Sequence, residues 1–437
     1  QFSVTMTTTA SSVPLSKRPR RGSPAADEVD DSCASSRNTV VPSIPKGIFL
    51  APMVRGRELA MRMLARSYRS CNRNRKDDNA KMGASLCYGP MLRDEEVLQV
   101  HALWQKEQHQ PQEQPTSDDN GTNHHSSAAP EKLGAVVRMD KAGRTMDAAE
   151  ETAYLLLTDR CDQHDTSTLV VQLCGSDPST MGQATKAVLE LYANGTDDDD
   201  DDDGGERRPP RIPAGIDFNL GCPQACASRG NFGAFLVERN ADAAVQCIAA
   251  MRSAIDTYYE RSNTLQLEHP CPRLSAKLRL FEHTDDTIAF CRRLQQAGCD
   301  YLAIHCRRRT AKHDGPPDWK AGQQIVEAVQ NSTLGIPIVL NGGIRDKEEA
   351  IHVMELTGCH AVMVAQGYLE NHTRFRGTRI TSDKDDTTTT PIVIPSQPAT
   401  IAVEYLEYAS LYPPPSYLYL QQHLRWIFRS TLTYAAT

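Results

Sequence analysis

Apolar residues in this chain gather into short runs, separated by longer stretches in which they recur every three or four positions. The runs are GIFLAPM (Gly47–Met53), SLCYGPM (Ser85–Met91), LVVQLCG (Leu169–Gly175) and GIDFNLGCP (Gly215–Pro223). LSAKLRLF (Leu274–Phe281), YLAIHCR (Tyr301–Arg307), PIVLNGGI (Pro337–Ile344) and AVMVAQGY (Ala361–Tyr368) complete the series. Such brief runs with β-branched content predict strands. The stretches between them predict helices over 58–68, 178–192, 241–258, 284–297, 319–331 and 346–357. Punctuation agrees: Asp177-Pro178 is a cap with proline at the first helical position, and Gly298 and Gly358 stand where helices should stop. Strands alternating with helices predict a parallel sheet, and eight repeats of the unit predict an α/β fold, a closed (β/α)8 TIM barrel. A doubly wound open sheet is the competing topology, but no GxGxxG follows the first run.

Polar tracts interrupt this pattern. Residues 1–44 read as a disordered tail, 105–132 and 194–210 as solvated insertions, and 376–400 as a linker. The barrel is therefore expected over 45–375. Residues 401–437 read as a small helical module of two stretches, broken at Pro413-Pro414-Pro415 and carrying Arg425 and Arg429.

Composition narrows the function classes. Nothing in the 437 residues approaches the roughly 20 consecutive apolar positions of a membrane span. The formal charge of −7 is matched by the single run Asp197 to Asp203, so any polyanion must be held by a local cluster of cations, not by a global excess. The 13 cysteines form no CxxC pair and no zinc spacing, which reads as reduced intracellular thiols. His124-His125 lies inside a polar tract and is a poor metal candidate. Lys17-Arg18-Pro19-Arg20-Arg21 reads equally as a nuclear-import signal, part of a transit peptide, or a basic disordered tail. Cytoplasm, nucleus and mitochondrion all stay open.

Chemically capable residues collect at the C-terminal ends of the predicted strands, where barrels of this kind build their sites. Asn341-Gly342-Gly343 and Gln366-Gly367 offer unobstructed backbone N–H groups for a phosphate. Lys277 is a cation on the rim, Gln172 offers a donor and an acceptor to a ring edge, and Pro52-Met53 offers an apolar wall. Together they fit FMN better than a nicotinamide or a metal. Taken singly, a Lys-x-Arg pair is more often surface and a Gly-Gly more often a turn.

At Asn219-Leu220-Gly221-Cys222-Pro223, followed by Arg229-Gly230-Asn231-Phe232-Gly233-Ala234-Phe235-Leu236, the chain resembles the tRNA-dihydrouridine synthases. Ala51-Pro52-Met53, Val171-Gln172-Leu173, Lys277-Leu278-Arg279, Ile304-His305-Cys306-Arg307 and Asn341-Gly342-Gly343-Ile344 match in order. Leu86 to Leu92 and Gly233 to Leu236 resemble the eukaryotic branch acting at tRNA positions 16 and 17. The resemblance implies that NADPH or NADH reduces FMN, which then gives hydride to C6 of uracil while Cys222 protonates C5. It implies substrate contacts from Asn219 and Arg279, flavin contacts from Lys277 and His305, tRNA as partner, and a monomer. The family's helical RNA-binding domain usually runs beyond Thr437, so a short module is expected. Cys226 is the rival thiol, and a buried structural role is the alternative for Cys222. A flavin barrel acting on a small molecule, similar to a dihydroorotate dehydrogenase, and a non-catalytic tRNA-binding protein are the alternative functions.

Overall fold

The computed structural model describes residues 44–53, 59–70, 86–108, 148–158, 168–193, 212–264, 271–375, 397–429 and 431. Residues 1–43 of the expected N-terminal tail, most of the 105–132 tract, the 194–210 tract and nearly all of the linker lie outside the described residues, while Ile44, expected in the tail, is buried.

Eight parallel strands follow one another around a closed barrel: β1 (Gly47–Leu50), β2 (Leu86–Arg93), β3 (Leu169–Cys174), β4 (Gly215–Leu220), β5 (Arg273–Leu280), β6 (Tyr301–Arg308), β7 (Ile338–Asn341) and β8 (Ala361–Val364). β8 pairs back onto β1 through Gly47↔Ala361 to Leu50↔Val364. This is the TIM barrel that the alternating pattern predicts. Side chains point alternately in and out along each strand. Leu274, Leu278, Ile304 and Leu340 face outward into the main core against the helices. Each such buried Leu or Ile contributes roughly 1.5–3 kcal/mol. Phe49, Leu86, Tyr88, Val170, Tyr301, Ala303, Val339 and Met363 form a second cluster inside the barrel. The inward series turns polar toward the C-terminal end of several strands: Val170 then Gln172, Ala303 then His305, Val339 then Asn341. An apolar plug thus closes the barrel below, and polar groups gather at the upper mouth.

The helices are α1 (Leu59–Ser70), α2 (Asp94–Gln108), α3 (Ala148–Thr158), α4 (Pro178–Ala193), α5 (Ala225–Arg229), α6 (Ala234–Arg239) and α7 (Ala241–Thr264). α8 (Thr284–Gln296), α9 (Trp319–Ile325), α10 (Lys347–Thr357), α11 (Gln366–Glu370), α12 (Pro398–Leu411) and α13 (Tyr417–Ile427) follow. The expected caps are in place. Asp177 Oδ1 accepts from the Thr180 amide at 2.8 Å, and Gly358 ends α10 in the left-handed region at φ 68°. α2 runs four residues into the tract read as polar; it buries Val97 and Val100 and carries Asp94, Glu95 and Glu96 in its first turn, where the helix dipole favours them. α9 passes into one π turn, Val326–Gln330.

The two C-terminal helices match the expected stretches. α12 buries Ile401, Ala402, Tyr405 and Ala409 and packs on α1. Tyr405 meets His423 of α13 with ring centroids 4.7 Å apart, and Arg429 pairs with Glu370 of α11 at 3.4 Å. Among the described residues no helix is long and apolar enough to cross a membrane, no His/Cys/Asp/Glu group could hold a metal, and every cysteine is a free thiol.

Candidate active site at the barrel mouth

The mouth rests on a chain of buried polar side chains from β2 to β6. Tyr88 and Tyr301 hydroxyls meet at 2.8 Å, and Tyr88 also reaches Ser275 Oγ at 3.4 Å. Ser275 donates to Asp217 Oδ1 at 2.6 Å, and Gln172 Nε2 donates to Asp217 Oδ2 at 2.7 Å. Asn219 Nδ2 then donates to Gln172 Oε1 at 2.9 Å and contacts Met91 Sδ at 3.1 Å. Burial raises the Asp217 carboxyl to about 6, against the bonds from Gln172 and Ser275, which favour the anion. Gln172 is buried too; it spends one donor and one acceptor here, leaving one N–H and one lone pair for a ligand.

Above this chain β4 ends in a turn built around Asn219. Its Oδ1 accepts from the amides of Gly221 at 3.2 Å and Cys222 at 3.0 Å, an Asx-type clamp on the residue that carries the thiol. The segment between α5 and α6 closes over the turn: the Ala234 amide donates to Cys222 O at 3.3 Å. Gly233 sits at φ +63°, and a Cβ there would lie 2.9 Å from both Cys222 Cβ and Cys222 O. Only glycine lets the two backbones come this close. Cys222 is half-buried, and burial first of all pushes its thiol up, so it is a protonated acid at neutral pH. Cys226, the rival thiol, is exposed.

Cations occupy the β5 and β6 side. Register places Lys277 beside Asn219, Arg279 beside His305, and His305 beside Asn341. Burial, then the charge on Arg279, brings Lys277 down to about 8; burial lowers Arg279 to about 10. His305 is driven well below its usual range by burial, then by Lys277, Arg279 and Arg307. It is a neutral imidazole. Arg307 Nη1 can only donate, so its 3.3 Å contact makes His305 Nε2 the acceptor and leaves the proton on Nδ1. This crowding of positive groups is costly unless an anion joins it.

A backbone cradle lies next to the cations. Gly342 and Gly343 have φ of 143° and 65°, and a Cβ on Gly343 would lie 3.1 Å from Arg307 Nη2. A Cβ on Gly367 would strike Ile344 O at 2.7 Å. Bare backbone beside a guanidinium is the donor set a phosphate needs. Asn341 ties β7 to β8 by donating to Met363 O at 2.7 Å, which leaves its side-chain oxygen for a ligand.

The site thus unites Gln172, Asn219, Cys222, Lys277, His305, Asn341, Gly342 and Gly343. Other expected residues play altered parts. Arg279 donates to backbone oxygens of Gly221 at 2.9 Å, Lys312 at 2.7 Å and Arg308 at 3.4 Å, so it braces the Cys222 turn and the loop after β6. Gln366 is exposed and donates along α11 to Glu370 at 2.7 Å, so what it and Gly367 offer a phosphate is backbone. Pro52 and Met53 are half-buried beyond β1, with Met53 packed on the main core. Sequence reasoning missed Asp217 and Arg307. Each had a signal: Asp217 lies two residues before Asn219, and Arg307 two residues after His305, the spacing of one strand face.

A rim of cations and aromatics borders the thiol. Arg93 lies 5.9 Å over Phe232, and Phe235 has Arg309 at 4.6 Å and Arg239 at 5.5 Å. Phe232, Phe235 and Cys222 share one small cluster with Cys174 and Ala227. Glu95 pairs with Arg93 and Glu238 with Arg309, so the rim carries fixed ion pairs together with Arg239, which bonds Ser228 O and Asn231.

Residues 211–434 match the family model described as Dihydrouridine synthase (Dus). The chain is 29% identical over 266 residues to a tRNA-dihydrouridine(16/17) synthase-like protein of Rattus norvegicus, covering 60% of this chain and 47% of that protein. It is 32% identical over 209 residues to a tRNA-dihydrouridine(20a/20b) synthase-like protein of Mus musculus, covering 48% and 52%. It is 28% identical over 205 residues to the tRNA-dihydrouridine(16/17) synthase of Saccharomyces cerevisiae, covering 46% and 39%. The matched part of the chain spans about half the length of the rat and mouse proteins and less of the yeast one.

Proposed function

The chain belongs to the dihydrouridine synthase family, and from that premise we propose that it reduces uridine to 5,6-dihydrouridine in tRNA. The observation that carries the reading is Cys222, a protonated, half-buried thiol clamped by Asn219 at the edge of a cation-lined barrel mouth.

The mouth fits an anionic, flat cofactor. Gly342, Gly343, Arg307 and the backbone at Gln366-Gly367 would hold the phosphate of FMN. Lys277, His305, Gln172 and Asn341 would meet its ring system, with Pro52 and Met53 as an apolar wall. When bound, FMN supplies the hydride for C6 of uracil, after reduction by NADPH or NADH. The protein supplies position, charge and the proton. Lys277, cationic below about 8, would stabilise the negative charge that develops on the ring. Cys222 gives its S–H proton to C5, so that one hydride and one proton add across the double bond. The thiolate left behind recovers a proton from solvent, because burial favours its neutral form. Arg279 and Asn219 keep the thiol in place through the Gly221–Cys222 backbone, and Asn219 also lies at the edge where the base would enter.

The target base has to leave its stack to reach the mouth. Arg93, Arg239 and Arg309, laid over Phe232 and Phe235, would receive the flanking phosphates and bases. Positions 16 and 17 are the proposed targets, on the likeness to the rat and yeast proteins named for them.

The test is anaerobic single-turnover mixing of the flavin-reduced protein with unmodified tRNA, following flavin absorbance and sequencing the product for dihydrouridine. Reoxidation together with dihydrouridine is the expected result. Flavin that stays reduced with tRNA but is reoxidised by a free pyrimidine or an enone would replace the reading with a small-molecule reductase. Stoichiometric tRNA binding without any turnover would leave a binding protein.

A further inference from the structure

Asp217 lies wholly buried beneath the mouth, with both carboxylate oxygens committed to Gln172 and Ser275. We propose that Asp217 is a positioning residue that fixes the amides of Gln172 and Asn219 in one orientation and thereby sets the Cys222 turn. This rests on the reading of Cys222 as proton donor for its functional meaning, though not for its geometry.

A carboxylate only accepts, so Gln172 must present its NH2 to Asp217, as it does at 2.7 Å. Its oxygen is then turned toward Asn219, which must answer with its own NH2, as it does at 2.9 Å. That leaves the Asn219 oxygen facing the turn, where it accepts from the amides of Gly221 at 3.2 Å and Cys222 at 3.0 Å. A side-chain amide is nearly symmetric in shape, so packing alone does not choose between its two orientations. Reversing Gln172 would set its oxygen against the carboxylate and its NH2 against the Asn219 NH2; if Asn219 reversed as well, its NH2 would face the two backbone amides instead. One acceptor-only group below the site therefore removes a two-fold ambiguity twice over. Ser275 holds the other oxygen at 2.6 Å but lies off this path, which gives an internal control.

The experiment compares Asp217→Ala, Asp217→Asn and Ser275→Ala in the ligand-free protein. The readout is the alkylation rate of Cys222 by iodoacetamide, measured by peptide mass spectrometry with the same thiol in the urea-unfolded protein as reference, alongside thermal unfolding and kcat and KM on tRNA. Asp217→Ala is expected to raise the Cys222 rate roughly ten-fold, the equivalent of one lost buried hydrogen bond. It should lower kcat in similar proportion with KM for tRNA unchanged. Asp217→Asn should restore both: its oxygen still accepts from Gln172, while its NH2 turns to Ser275 Oγ. Ser275→Ala should leave both near wild type. An Asp217→Asn protein that folds but matches Asp217→Ala would overturn the proposal, because the charge and not the acceptor would then matter. So would an equal effect of Ser275→Ala, which would reduce the network to general packing. If Asp217→Ala does not fold, Asp217→Leu replaces it with the same expectation, and a shifted Cys222 rate in Asp217→Asn is by itself sufficient to reject the idea. Absence of uridine reduction in the wild type would defeat the functional reading while leaving the alkylation comparison decisive.

Discussion

Replacing Gly233 by alanine loads the site through one defined contact. The new Cβ would stand 2.9 Å from Cys222 Cβ and from Cys222 O, and 3.1 Å from Cys222 N, where ordinary contact begins at 3.4 Å. None of these atoms is the end of a flexible side chain, so the backbone of Cys222 must recede by about half an ångström. At φ +63° the alanine is also in the left-handed region, which costs about 1–2 kcal/mol. Relief by movement costs about as much again at a clamped turn. The fold should survive, since this buried segment packs in a small cluster separate from the main core, but the thiol is displaced. An error of this size at a reacting group lowers turnover by roughly ten- to a hundred-fold. The assay is dihydrouridine formation at saturating tRNA, with thermal unfolding as the check on stability. Because the effect passes through Cys222, Gly233→Ala should add almost nothing in a Cys222→Ala background. Equal fold-losses in the two backgrounds would refute the reasoning and make Gly233 a matter of general loop structure.

Cys222→Ala itself should retain bound flavin and tRNA yet lose roughly 10²- to 10⁴-fold in turnover, the usual worth of a general acid; rapid-mixing kinetics with flavin content as control will check it. Gly343→Ala, strained at φ 65° and 3.1 Å from Arg307 Nη2, should weaken FMN binding by roughly ten-fold or more, read by fluorescence titration of the ligand-free protein. Asp217→Asn tests the buried carboxyl by pH. Held at about 6, the native carboxyl binds its proton more tightly than the unfolded chain, so its contribution is full below the ordinary carboxylate range and is lost as pH rises through about 6. The variant, which cannot ionise, should therefore gain relative stability between about pH 4 and pH 6, by up to about 3 kcal/mol. Urea unfolding at both ends of that window will show it, and a difference independent of pH would mean that Asp217 is not raised.

Much of the architecture was legible because it depends on local rules. Short apolar runs, helical spacing and the Asp-Pro and Gly stops are properties of neighbouring residues, and they recovered all eight strands and the six helices expected from spacing. α2, α3 and the short helices α5, α6 and α11 were not read from the spacing; the last three have only five or six residues, under two turns. α2 buries Val97 and Val100 but exposes Leu103, and its end merges with a polar tract. The positions of Cys222, Lys277, His305 and the Gly342-Gly343 pair were equally readable, since each lies at the C-terminal end of a strand and a parallel barrel brings those ends together.

What the linear pattern left open is what each side chain does on arrival. Arg279 carries a charge in any context, but only the packed loops offered it three carbonyl oxygens and made it a brace. Asp217 looked like one polar residue in an apolar strand, until the barrel closed and placed Gln172, Ser275 and Asn219 in a single chain of hydrogen bonds. Period and punctuation act over a few residues, so the sequence by itself determined the strands, the helices and the end of the barrel that carries the chemistry. Hydrogen-bond partners and the burial that shifts a pKa come from residues far apart in the chain, 213 positions between Tyr88 and Tyr301, and only the tertiary structure decides those.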